Sequence, residues 1–237
     1  NYVFITTHDH EHVSALNNLY LLHFKIKKYK QAIIIINKLL IKDSKNCSWI
    51  RDKALAMFSL KKSDEALNLI ISSLEINPKD YVAYNIKALI LISLKKYTEA
   101  FDVINKGLLF NKNYYPLINT LGTYYNLLNQ NKEAYLCFIK ANQINSNAFE
   151  PINNLAGHYM HEGNYNEALK FYMKANEIKP NNIAILGNIG KLYSNLDEDK
   201  KAEKYFLKTL KIDANNDANK KTYSIFLFKK KNYKKAW

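Results

Sequence analysis

FEPINNLAGHYMHEGNYNEALKFYMKANEIKPNN, residues 149–182, is the stretch whose reading decides the fold. Its Ala168 belongs to a series, Ala32, Ala66, Ala100, Ala134, Ala168, Ala202 and Ala236, set at an unbroken spacing of 34 residues. A period of this length marks one helical hairpin copied along the chain, because units of that size cannot bury an apolar face alone and stack on their neighbours.

Other columns keep the same phase. Twelve residues before each alanine come Tyr20, Ala54, Ala88, Gly122, Ala156, Gly190 and Ser224, small in all but the first, so two helices must approach closely there. Four residues after it come Ile36, Ile70, Ile104, Phe138, Tyr172 and Phe206, one turn further along the same apolar stripe. Nine residues before it come His23, Met57, Leu91, Tyr125, Tyr159, Tyr193 and Leu227, which complete the predicted interior. Short polar turns such as Lys61-Lys62-Ser63 and Gly163-Asn164-Tyr165 separate a first helix of about fourteen residues from a second of about fifteen. Gly187 and Gly190 fall inside a first helix, each costing about 1 kcal/mol of helix propensity, and close packing explains Gly190.

Leu155-Ala156, Tyr159, Ala168, Tyr172, Ala175 and Pro180 together resemble the tetratricopeptide-repeat pattern, and Pro78 closes the second unit as the pattern requires. Lys112, Ser146 and Ala214 stand where that proline is expected in other units. The resemblance runs from Val13 to Trp237 and implies an all-α solenoid, a right-handed superhelix of antiparallel helix pairs. Six units would start at Val13, Cys47, Tyr81, Tyr115, Phe149 and Ile183 and fill residues 13–216. Residues 217–237 would open a truncated seventh, and residues 1–12 form a lead-in that fits the end of a preceding unit. In the truncated unit Tyr223, Leu227 and Ala236 lose their covering helix, so exposed apolar surface and self-association are expected.

Composition bounds the function. The chain has 237 residues, 48% of them hydrophobic, and its apolar runs are far shorter than the roughly 20 residues of a membrane span. No membrane partner is expected. Cys47 and Cys137 are single thiols in different units, which suits a reducing, cytoplasmic compartment. The net charge of +14 raises nucleic-acid binding as an alternative, with seven lysines against one aspartate between Asp217 and Trp237. Arg51 is the only arginine, however, and phosphate and base recognition favour the planar guanidinium, so lysine-mediated nucleic-acid binding stands only as a second alternative, behind the protein-binding readings.

No motif for catalysis or for a cofactor is present, and the chain reads as a non-enzyme. His158, His161 and Glu162, with Glu150, and separately His8, His10 and His12, are the nearest approaches to a metal site. The first reads as solvated side chains on a helix surface and the second as the polar end of a truncated helix, and no metal is expected. The terminal-carboxylate clamp of chaperone-binding relatives is excluded, because its asparagine place holds Leu21, Leu55, Leu89, Thr123, Gly157 and Lys191.

The resemblance also implies that first helices line a concave groove, facing it with the second, fifth, sixth, ninth, twelfth and thirteenth residues of each unit. The early units place Leu55, Phe58 and Leu89 there, and the later ones Asn119, Asn126, Asn153, Asn154, Asn188, Lys191 and Asn195. Asparagine offers a donor and an acceptor, so a row of amides can hold an extended main chain whatever its side chains. Asn18, Asn154 and Asn188 partly resemble the asparagine ladder of the repeat arm in the glycosyltransferase that attaches N-acetylglucosamine to proteins. The leading expectation is a scaffold that binds a protein or peptide in this groove. The alternative is the substrate-recruiting arm of a larger enzyme, a reading suggested also by residues 226–237.

Overall fold

The computed structural model describes residues 13–215 and 217–230, and among these it forms thirteen α-helices and no strand. The sequence readings on residues 1–12, including His8, His10 and His12, and on Ala236 and Trp237 lie outside the described residues. The first helices are α1 (Val13–Lys25), α3 (Cys47–Ser59), α5 (Tyr81–Ser93), α7 (Tyr115–Leu127), α9 (Phe149–His161), α11 (Ile183–Asn195) and α13 (Asp217–Lys229). The second helices are α2 (Tyr29–Lys42), α4 (Ser63–Ile76), α6 (Tyr97–Phe110), α8 (Asn131–Ile144), α10 (Tyr165–Ile178) and α12 (Asp199–Ile212). Each series recurs every 34 residues.

A backbone device reverses the chain within every pair. Lys27, Lys61, Lys95, Asn129, Gly163 and Asp197 take positive φ of 57° to 74° directly after the first helix. The following amide then reaches back five residues: Lys28 donates to the His23 carbonyl at 2.8 Å and Lys96 to that of Leu91 at 2.9 Å. The positive-φ residue itself donates three residues back, Lys95 to Ile92 at 3.0 Å. This pair of hydrogen bonds closes a helix end in the Schellman manner. Only Gly163 adopts the left-handed conformation without a side-chain penalty.

Between pairs the chain turns on asparagine or aspartate. The side chains of Asp43, Asn77, Asn111, Asn145 and Asp213 each accept the amide two residues on, at 3.1 to 3.3 Å. These Asx turns feed the next first helix, whose N-terminus is capped by Asn46 on Trp49, Asp80 on Val82 and Ala83, and Asn182 on Ile185.

Packing follows the columns. Ala32, Ala66, Ala100, Ala134, Ala168 and Ala202 are completely buried, as are Ala54, Ala88 and Ala156 opposite them. Ile36, Ile70 and Ile104 are fully enclosed, and Phe138, Tyr172 and Phe206 nearly so. Each buried side chain of that size contributes about 1.5 to 3 kcal/mol, which makes the column the main stabilising seam. Gly190 answers the expectation of close packing, since a Cβ there would lie 2.7 Å from Phe206 Cε1. Gly107 does the same against Leu117 and Tyr84.

The helices form two compact units, Asn1–Tyr124 and Tyr125–Trp237, each an all-α stack in which neighbouring helices pack in chain order. In the first unit α1 to α6 pack consecutively, and a polar network holds the stack. Arg51 Nη1 meets Asp80 at 2.8 Å and its Nε meets Asp52 at 3.2 Å, while Tyr20 donates to Asp52 at 3.0 Å. Tyr20, the large residue in a small column, is thus buried with a partner for its hydroxyl. In the second unit α8 to α13 pack consecutively and α11 also touches α13.

One expectation is corrected. Leu227 is 2% exposed, buried with Phe226 against Ala202 and Phe206, and Tyr223 is half-buried, so Leu227 is covered without a following helix. The adjoining second helix α12 already covers it. The exposed apolar residues of α13 are instead Ile225 and Phe228.

Candidate functional site

In the second unit the first helices α9, α11 and α13 leave two hollows side by side. One, of about 410 Å³, is floored by Phe206 and Phe226, walled by Met160 and Ile225, and rimmed by Lys191 and Lys229. Ser194, Asn195 and Thr222 complete it. The other, of about 400 Å³, lies between Ala184, Gly187, Asn188 and Lys191 on one side and Ala218, Asn219 and Thr222 on the other. Lys191 and Thr222 border both, so the hollows form one trough. Gly187 leaves the helix backbone bare along it, with no atom within 4 Å of where a Cβ would stand.

Of the residues singled out from the sequence, Asn188, Lys191 and Asn195 meet in this trough. Asn153 and Asn154 are half-exposed on α9, and Asn126 is exposed on the α7 segment of the same unit. Asn188 is oriented by its own unit: its amide nitrogen donates to the Tyr172 hydroxyl at 3.0 Å. Burial raises the Tyr172 phenol above its ordinary range, and the Asn188 bond works the other way. The carbonyl oxygen and second N–H of Asn188 remain for another partner.

The first unit treats its residues differently. Asn119 is only 9% exposed and so presents little of its amide to a ligand. Leu55 and Phe58 pack against the core of Ala54, Ala66, Ile70 and Ala83, and Leu89 is half-buried. Nearby amides brace the stack, Asn17 accepting the Trp49 indole N–H at 2.8 Å and Asn85 the Thr120 hydroxyl at 2.7 Å.

Met160, Thr222, Ile225 and Lys229 were not singled out as ligands, yet their signal lay in the sequence. They fall at the twelfth, sixth, ninth and thirteenth places of their units, those that face the groove in the family pattern. The floor residues Phe206 and Phe226 carry no such signal, being core residues glimpsed between helices.

Among the described residues no group of three or more His, Cys, Asp or Glu is placed to hold a metal. His158 stacks on Tyr135, with ring centroids 4.8 Å apart, and burial holds its pKa below the ordinary histidine value. His161 faces Glu162, and Glu150 is drawn instead to Lys179 at 3.3 Å. No described helix is long and apolar enough to cross a membrane.

Comparison with known proteins agrees with this architecture. A family model described as tetratricopeptide repeat matches residues 159–219, and one described as anaphase-promoting complex, cyclosome, subunit 3 matches residues 25–107. No curated protein sequence matches the chain. Among solved structures, the APC/C hetero-tetramer Cut9-Hcn1 is similar at 14% identity, covering 95% of this chain and 45% of that one, with a TM-score of 0.83. PilF of Pseudomonas aeruginosa is similar at 17% identity, covering 91% and 96%, with a TM-score of 0.71. YrrB, described as a TPR protein with an unusual peptide-binding site, is similar at 23% identity, covering 76% and 93%, with a TM-score of 0.52. At these identities the likeness is one of fold.

Proposed function

We propose that this chain, whose residues 159–219 match the tetratricopeptide-repeat model, is a non-catalytic scaffold that holds an extended segment of a partner protein along the first helices of its second unit. The observation that carries this is the trough itself: Asn188, Lys191 and Asn195, from one helix, share an uncovered depression with Thr222 and Ile225 of the next. Amides and a hydroxyl along its side offer hydrogen bonds to a main chain, and the apolar floor offers burial to a side chain. The peptide-binding site in the description of YrrB and the hetero-tetramer containing Cut9 support a protein partner rather than a small substrate.

On this reading the repeat units are the six beginning at Val13, Cys47, Tyr81, Tyr115, Phe149 and Ile183, with residues 217–237 opening a seventh. The working compartment is the cytoplasm, a reading supported by the two lone thiols. Burial pushes the Cys137 thiol up to about 11, which leaves it protonated and unreactive.

The test is a binding titration of a peptide captured by the chain against a variant in which Asn153, Asn188 and Asn195 are alanine. Each neutral hydrogen bond contributes about 0.5 to 1.5 kcal/mol, so the three together weaken binding roughly ten- to a thousandfold while the helical circular dichroism is retained. Unchanged affinity in the triple variant contradicts the assignment.

A further inference from the structure

We infer that the segment held in the trough is acidic and carries one apolar anchor, its aliphatic or aromatic side chain entering the α11–α13 hollow between Lys191 and Lys229. This rests on the reading of the trough as a peptide site and adds what the peptide must look like.

Two features of the site converge on that chemistry. The first is charge. No carboxylate lines either hollow, so their titratable lining is Lys191 and Lys229 alone. Three other lysines of this unit are paired: Lys230 meets Asp197 and Asp199, Lys201 meets Glu198, and Lys220 lies 3.9 Å from Asp217. Lys191 and Lys229 form no ion pair among the described residues. Two uncompensated ammonium groups beside a low-dielectric floor attract a carboxylate and repel a basic segment.

The second is shape. Phe206 and Phe226 are 2% and 6% exposed, forming a closed apolar bottom, and Ile225 at 49% stands as its open wall. A hollow of about 410 Å³ lies at the low end of the range for ligand pockets, enough for an anchoring side chain and its neighbours. A nucleic-acid strand fits less well, since two lysines separated by an apolar well do not form the row of cations that a phosphate backbone requires.

The experiment begins with selection of phage-displayed random dodecapeptides on the full 237-residue chain, followed by fluorescence anisotropy on the enriched sequences. The expected consensus is Leu, Ile, Met or Phe next to Asp or Glu. Lys191→Ala with Lys229→Ala weakens binding at least roughly tenfold and flattens its salt dependence. Ile225→Ser, folded by circular dichroism, weakens it as well. Enriched peptides that lack acidic residues and ignore both lysines, yet depend on Asn153 and Asn188, overturn this inference and leave the proposed function standing. Absence of any enriched peptide overturns both. A single-stranded oligonucleotide that binds more tightly than any peptide, and loses that binding with the two lysines, also overturns the inference.

Discussion

Replacing Gly187 and Gly190 by alanine, one at a time, changes the stability of α11 unequally although the two glycines lie three residues apart on one helix. At Gly187 a new Cβ meets nothing within 4 Å, so the variant gains only helix propensity, about 0.8 to 1.0 kcal/mol. At Gly190 the same methyl stands 2.7 Å from Phe206 Cε1 and 2.9 Å from Cδ1. Ordinary contact starts near 3.4 Å, so the ring must retreat by 3.4 − 2.7 = 0.7 Å. Any such shift disturbs its packing against Ala202, Phe226 and Leu227, with which it is buried. Overpacking of that kind costs about 1 to 3 kcal/mol, which outweighs or cancels the propensity gained. The two variants therefore differ by about 1 to 3 kcal/mol in favour of Gly187→Ala. Repeat arrays can unfold in parts, so the assay is hydrogen exchange of the α11 amides together with urea unfolding. Equal stabilities, or a Gly190→Ala protein more stable than Gly187→Ala, would show that the small column does not mark the helix crossing.

Three further outcomes follow from the same geometry. Arg51→Ala leaves Asp80, whose side chain is 7% exposed, and Asp52 without their cation and costs about 2 to 4 kcal/mol, whereas Lys132→Ala on the exposed face changes urea unfolding by less than about 0.5 kcal/mol. Lys95→Gly relieves a left-handed residue and raises stability by about 1 kcal/mol, while Gly163→Ala at the equivalent turn lowers it by a similar amount, both read from denaturation midpoints. Alkaline titration gives the third. Burial and a bond to Glu203 push the Tyr223 phenol up to about 12, and the bond to Tyr135 with burial does the same for Tyr159, against about 10 in an unfolded chain. A raised folded pKa means that the stabilisation is complete below about pH 10 and is lost as pH rises toward 12, so the protein unfolds in that window as phenolate absorbance grows, and Tyr223→Phe narrows the loss. Phenolate absorbance from these two residues near pH 10 in folded protein would contradict it.

How much of this was legible in the sequence depended on whether a residue faced its own helix pair. Ala168, Ile70 and Gly190 face the crossing, where only certain volumes fit, so periodicity alone located them. Asn77, Asn111 and Asn145 were equally periodic, but in an asparagine-rich chain their Asx-turn role was hidden by composition until each side chain was seen on its own loop. The groove asparagines show the opposite problem: one residue type does several jobs. Asn119 is buried, Asn188 is bonded to Tyr172, and Asn195 lines the trough, a distinction set by neighbours a repeat away and therefore absent from any local window. Leu227 was misjudged for a related reason, because its cover comes from α12, which precedes it, and not from a helix that follows.

The central claim is that a partner segment seats on the first helices of the second unit, and the three methionines of the chain provide the most direct test. Met160 lines the hollow, Met173 lies on α10 with its sulfur 3.5 Å from the Tyr205 hydroxyl, and Met57 belongs to α3 in the other unit. With carbon-13 labelled methionine methyl groups, titration with an enriched peptide is predicted to shift the Met160 signal saturably and to leave Met57 and Met173 in place. Saturated binding with Met160 unmoved would contradict the account.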